Sequence, residues 1–160
     1  MKLFLKTALF TVVIPGTFAV LLPILIAADR TAAGGEAQGL ALSLFAFGTV
    51  VYLRSAWDFA VIGRGTPAPI DAPKRLVTRG FYRYTRNPMY IAVLTVVVGW
   101  AVFFGAAILV SYAALLFVIF SLFIRLYEEP RLAREFGGDY AEYISQVGRW
   151  LPRCPRGRVT

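Results

Sequence analysis

The chain has 160 residues, 58% of them hydrophobic, and a mean hydropathy of +0.65, more apolar surface than one soluble domain of this length can bury. It carries 17 Lys and Arg against 9 Asp and Glu, a net charge of +8, and no histidine. With Cys154 as the only cysteine, His and Cys metal centres, histidine-based triads and internal disulfides are excluded by inventory, and the placement of basic residues beside apolar runs points to anionic lipid headgroups rather than nucleic acid.

Residues 7–28 carry no charge, and a membrane helix needs about 20 apolar residues at a rise of about 1.5 Å each. Lys2 and Lys6 precede this run, and Ile26, Ala27 and Ala28 resemble a signal-peptide cleavage site, but the run exceeds an ordinary signal core and reads as a retained anchor. Pro15 and Pro23 predict bends in it. After the polar link D-R-T-A-A-G-G-E, a second apolar helix is predicted over residues 37–53, extending to residue 62 where Arg54 and Asp58 face protein or snorkel. The next stretch, G-R-G-T-P-A-P-I-D-A-P-K-R, holds three prolines and two glycines and reads as an ordered linker.

The linker delivers the chain to R-G-F-Y-R-Y-T-R-N-P-M-Y, residues 79–90, with three arginines and three tyrosines in front of an uncharged run over residues 87–124. That run is long enough for a hairpin of two short spans turning at residues 103–107, with Gly105 in the turn. Beyond Arg125 the tail is polar and amphipathic: Pro130 fits the first turn of a helix, Gly137 and Gly138 its end, and Asp139 the cap of the next.

Lys and Arg number two before the first span, one in the first link, seven from Arg54 to Arg86, none in the hairpin turn and seven from Arg125 onward. The positive-inside rule then predicts four spans with both termini and the polar loop in the cytoplasm. The loop and the tail so share one membrane face, where Lys74, Arg75, Arg79, Tyr82, Arg83, Tyr84, Arg86, Asn87 and Tyr90 meet Arg125, Tyr127, Glu128 and Glu129. Such a set binds a zwitterion: Arg holds a carboxylate, Glu an ammonium or ribose hydroxyls, and Tyr rings flank an adenine or a cationic sulfur. Asn87 and Pro88 form a helix start, Asn as cap and Pro at the first helical position. The plainer reading is interfacial anchoring by Arg and Tyr and a surface salt bridge at the glutamates.

Taken in order, G-F-Y-R-Y-T-R-N-P-M-Y-I-A, the uncharged hairpin, R-L-Y-E-E, L-A-R-E-F-G-G-D-Y-A-E-Y and R-W-L-P-R resemble the isoprenylcysteine carboxyl methyltransferase and phospholipid methyltransferase superfamily of integral membrane methyltransferases. The resemblance covers residues 74–153. It implies an all-α polytopic fold of about four spans, whose C-terminal amphipathic helices cap a cytosolic S-adenosylmethionine pocket that a lipidic substrate reaches sideways from the bilayer.

It also implies site residues. Lys74, Arg75, Leu76 and Val77 fall on the extended segment that contacts the cofactor, and Tyr82 on the family tyrosine. The family's R-H-P-x-Y falls on Arg86, Asn87, Pro88, Met89 and Tyr90. Its later Arg, facing the substrate, falls on Arg125, and its Glu, facing the cofactor, on Glu128 or Glu129, a choice that Pro130 leaves open by departing from the usual residue. Arg125, Tyr90 and Arg86 are the candidate catalytic groups, with no metal. Asn87 stands where the enzymes of prenylated cysteine have His and points away from that substrate. The whole chain, 1–160, reads as one membrane domain, with two N-terminal spans in 1–62 and the methyltransferase-like core in 63–160. The placement is a multi-pass protein of the inner membrane, acting on a lipidic or amphipathic small molecule. Phosphatidylethanolamine N-methylation and a non-catalytic membrane scaffold are the alternatives.

Overall fold

A computed structural model describes residues 2–63 and 73–151. Most of the proline-rich linker, together with Arg153 and Cys154, lies outside the described residues, as do the side chains of Lys2 and Lys6. Most of the described residues are helical, with no strand among them.

The first helix is continuous but irregular: α1 (Lys2–Gly16) passes through a π-helical turn (Thr17–Leu21) into α2 (Leu22–Ile26). The two prolines produce this, since neither has an N–H to donate up the helix. Pro23 leaves the Ala19 carbonyl without its usual donor, and in the π turn the Leu22 N–H bonds to the Thr17 carbonyl instead of that of Phe18. Both orphaned carbonyls are taken by neighbouring helices: Tyr112 Oη donates to the Phe18 carbonyl (2.9 Å) and Trp100 Nε1 to the Ala19 carbonyl (3.0 Å). In a medium without water this is how a broken helix is tolerated.

α3 (Glu36–Val61) realises the long version of the second predicted helix. Asp58 is buried against protein while Arg54 reaches outward, the two 3.4 Å apart. α3 packs most extensively on α4 (Pro88–Phe104), and Gly48 permits the approach: a Cβ there would stand 2.7 Å from Val96 Cγ2 and 2.9 Å from the Ala92 carbonyl. α4 and α5 (Ala107–Phe123) form the predicted hairpin. Gly105 ends α4 with φ +57°, its N–H bonding the Val102 carbonyl and that of Ala106 the Ala101 carbonyl, the paired bonds of a left-handed glycine cap.

The tail differs from expectation at one point. No break precedes Pro130; α5 runs through a second π-helical turn (Ile124–Glu128) directly into α6 (Glu129–Gln146). The wide turn, with Glu129 N–H on the Ile124 carbonyl, absorbs the proline without ending the helix. The predicted break at the glycines is present as a non-helical Gly137 inside α6.

Small and branched residues fill the interior, among them Ala92, Val97, Ala113 and Leu116. Outward-facing positions are apolar too: Leu42, Phe47, Val50 and Leu53 on α3, and Val110, Leu115, Val118 and Leu122 on α5, are all exposed. An apolar exterior suits a lipid solvent. α3 and the helix beginning at Ala107 are long and apolar enough to cross a membrane, while Val12–Ile26 and Pro88–Phe104 are shorter apolar helices.

Candidate functional site

The polar loop enters the fold through a 3-10 turn (Gly80–Arg83) and an extended Thr85–Asn87 stretch that runs beside the segment after α6. Arg86 N–H bonds the Gly148 carbonyl (2.9 Å), Thr85 Oγ1 and Asn87 Nδ2 both donate to the Arg149 carbonyl (3.0 Å each), and Tyr143 Oη donates to the Tyr82 carbonyl (2.7 Å). Asn87 does sit at the N-cap of α4, but its side chain makes no capping bond; the amide is committed to the C-terminal segment.

The two adjacent glutamates separate here. Glu129 receives a bidentate pair from Arg149 (Nε to Oε1 2.8 Å, Nη2 to Oε2 2.7 Å) and a third contact from Arg86 Nη1 (2.9 Å). Burial raises its carboxyl, but the Arg149 hydrogen bond and the charges of Arg86, Arg149 and Arg125 outweigh that and hold it below the usual range. Glu128, just past the apolar run, accepts a 2.6 Å bond from Tyr90 Oη. Burial lifts its carboxyl above the usual range, the Tyr90 bond opposes this, and the neighbouring Glu129 adds to it. Tyr82 is raised well above its usual value, chiefly by burial and then by the nearby Tyr143 and Glu128.

Glu128 and Tyr90 open onto a cavity of about 550 Å³. Its polar end holds Arg86, Asn87, Tyr90, Glu128 and Arg131, and Glu128 is the one carboxylate among the described lining residues. The rest is apolar, from Leu116, Ile119, Phe120 and Phe123 on α5, Met89 and Val93 on α4, and Phe10, Ile14, Pro15 and Phe18 from the N-terminal helix. The Tyr90 ring rests on Phe120, centroids 4.7 Å apart. Arg86 Nε is buried and makes no hydrogen bond within the described structure.

Of the residues singled out in the sequence, Leu76, Val77, Tyr82, Arg86, Asn87, Pro88, Met89, Tyr90, Tyr127 and Glu128 line this cavity. Glu129, with Glu128, lines a small recess beside it, and Lys74, Arg75 and Arg125 are exposed outside the wall. Sequence reasoning passed over Arg131, Tyr143 and Arg149. Tyr143 stands three residues from Tyr140, one helical turn, and both are buried, a pairing that D-Y-A-E-Y displays. The N-terminal contribution to the wall had no sequence signal beyond apolarity.

A family model described as phospholipid methyltransferase matches residues 37–139, from the start of α3 into α6. No curated protein and no solved structure matched the chain.

Proposed function

The chain belongs to the phospholipid methyltransferase family, and on that premise we propose that it transfers a methyl group from S-adenosylmethionine to a lipid-like amphiphile whose headgroup pairs an amine with an anion. The observation that carries this reading is one cavity whose lining combines charged groups with an apolar slot. The acceptor is an amphiphile because both ends of the cavity must be filled, and a phospholipid amine fits the charged end best: Glu128 for the ammonium, Arg86 and Arg131 for the phosphate. A carboxylate acceptor, as in the carboxyl methyltransferases, would meet Glu128 as a like charge.

The donor set fits the cofactor. The Tyr82 and Tyr90 rings offer faces to a sulfonium or an adenine, which leaves Glu128 to the acceptor, and the volume lies within the roughly 300–1,000 Å³ usual for ligand pockets. When bound, S-adenosylmethionine supplies a methyl group on a positively charged sulfur, with a neutral thioether as leaving group. The protein's task is therefore alignment and proton removal. Glu128 takes the proton that an ammonium must lose before its nitrogen lone pair forms the new N–C bond, the electrons of the broken C–S bond staying on sulfur. Its raised affinity for protons suits it to this, and Tyr90 fixes the carboxylate's orientation. Arg86, whose guanidinium lines the charged end, orients the anionic group.

In the membrane we place four spans, both termini and the charged end of the cavity on the cytoplasmic side of the inner membrane; the distribution of Lys and Arg supports this. The test is thermal stabilisation of the detergent-solubilised protein by S-adenosylhomocysteine, followed by incubation with methyl-labelled S-adenosylmethionine and phosphatidylethanolamine. Cofactor-dependent stabilisation and labelled phospholipid are expected. No stabilisation at millimolar ligand would return the chain to the scaffold reading, and label in a methyl ester instead would replace the amine by a carboxylate.

A further inference from the structure

We propose that the N-terminal helix is a depth gauge for the acceptor: Phe10, Ile14 and Phe18 wall a slot that encloses one hydrocarbon chain, and the level of Phe18 sets how much of that chain is enclosed. The identity of the acceptor rests on the methyl-transfer reading; the slot itself rests on packing. Phe10, Ile14 and Phe18 recur at every fourth residue, so they form one stripe down the helix, and all three line the cavity that holds Glu128 and Tyr90. α5 supplies the facing wall, from Phe123 beside the charged end down to Leu116.

The slot has a floor. Phe18 and Leu116 line the cavity, whereas Ala19, Trp100 and Tyr112 do not. At that level the Tyr112 and Trp100 side chains bond the Phe18 and Ala19 carbonyls that the π turn leaves open, which locks the bent helix against α4 and α5 and closes the space. From Phe10 to Phe18 is eight residues, about 12 Å of helix. One leaflet of a hydrocarbon core about 30 Å thick is about 15 Å deep. A chain standing in the leaflet next to the charged end therefore enters sideways without tilting, its headgroup arriving at Glu128 and Arg131 while most of its length lies against the stripe. The stripe lies outside the matched region, 37–139, so the gauge is a property of this chain rather than of the family model.

The full chain in lipid nanodiscs tests this in two ways. Acceptors of one headgroup and graded chain length are compared across wild type, Ile14→Trp, which fills the slot, and Phe18→Ala, which deepens it. Ile14→Trp is expected to lower the long-chain to short-chain ratio of kcat/KM by about tenfold or more, the size that overpacking a filled apolar site produces. Phe18→Ala is expected to move the preference to longer chains. Equal loss at every chain length, or an unchanged preference in both variants, overturns the gauge. Separately, a phospholipid with a diazirine partway down its chain should label Ile14 or Phe18 in preference to the outward Val12 and Val13. That readout needs no turnover. Labelling of the stripe without methylation would leave the slot standing and refute the acceptor; labelling of the outward face alone refutes the slot.

Discussion

Glu128 and Glu129 are neighbours in sequence, yet they belong to two different regions of the molecule. Glu129 sits in a closed electrostatic knot, with Arg86 and Arg149 on its oxygens and the C-terminal segment tied across the loop through its Gly148 and Arg149 carbonyls. Glu128 sits on an open wall, held by one tyrosine and facing space. A helix turns about 100° per residue, so adjacent side chains leave it in different directions. The junction between α5 and α6 uses that to put one carboxylate among arginines and the other on the cavity wall. The difference teaches that direction alone can give two adjacent carboxylates different surroundings, and the separation makes measurable claims.

The largest effect belongs to the knot. Glu129→Ala leaves two arginines facing each other with their shared counter-charge gone, and at a partly buried site the cost is a fraction of the about 3–5 kcal/mol lost when one partner of a fully buried pair is removed. A pronounced fall in Tm is expected, with activity lost through the fold; a near-wild-type Tm with abolished cofactor binding would instead move Glu129 to the chemistry. Glu128→Gln should do the reverse. The isostere keeps a bond to Tyr90, so Tm should stay close to wild type while kcat/KM for an amine acceptor falls by about a hundredfold or more, the scale of a lost general base. A wild-type rate in Glu128→Gln would remove it from proton transfer.

The two regions also differ in sign with pH. The carboxyl of Glu129 is depressed in the folded state, so its contribution to stability is present above the ordinary glutamate range and lost as pH falls through its lowered value. The carboxyl of Glu128 is raised, so the folded protein binds the extra proton and stability falls as pH rises between the ordinary range and the raised value. Unfolding followed against pH should show the advantage of wild type over Glu129→Gln shrinking in acid. The advantage of Glu128→Gln over wild type should grow as pH rises through that window. Parallel curves for the two variants would erase the distinction between knot and wall.

What the sequence reveals and hides follows from the same physics. The helices and the hairpin turn were legible because charge is expensive in lipid and because Gly105 takes a left-handed conformation, both of which leave marks on composition. The loop residues from Tyr82 to Tyr90 were legible as a set because several hydrogen-bonding groups precede an uncharged run. Which glutamate faces the cavity was not, because the π turn at Ile124–Glu128 takes up an extra residue and so shifts the facing of the side chains from an ideal helix, and no residue type announces a π turn. Arg131 was hidden for the same reason, and the wall from Phe10 to Phe18 because an apolar residue facing lipid and one facing a slot look alike in sequence.

The smallest effect concerns Asn87, where sequence and structure give the same residue different work. A capping asparagine would bond the N–H groups of its own helix, and its loss would loosen α4 alone. Here the amide reaches Arg149 of the C-terminal segment, alongside Thr85. Asn87→Ala should therefore cost about 1 kcal/mol, one neutral hydrogen bond. The loss should appear as faster amide exchange at residues 147–149 rather than at the start of α4. Because Arg149 hangs from the same segment, the variant should also weaken the knot at Glu129, so that Asn87→Ala and Arg149→Ala combine less than additively. Exchange confined to the first turn of α4, or strict additivity, would mean that Asn87 caps its helix after all and that the segment is held from the Glu129 side alone.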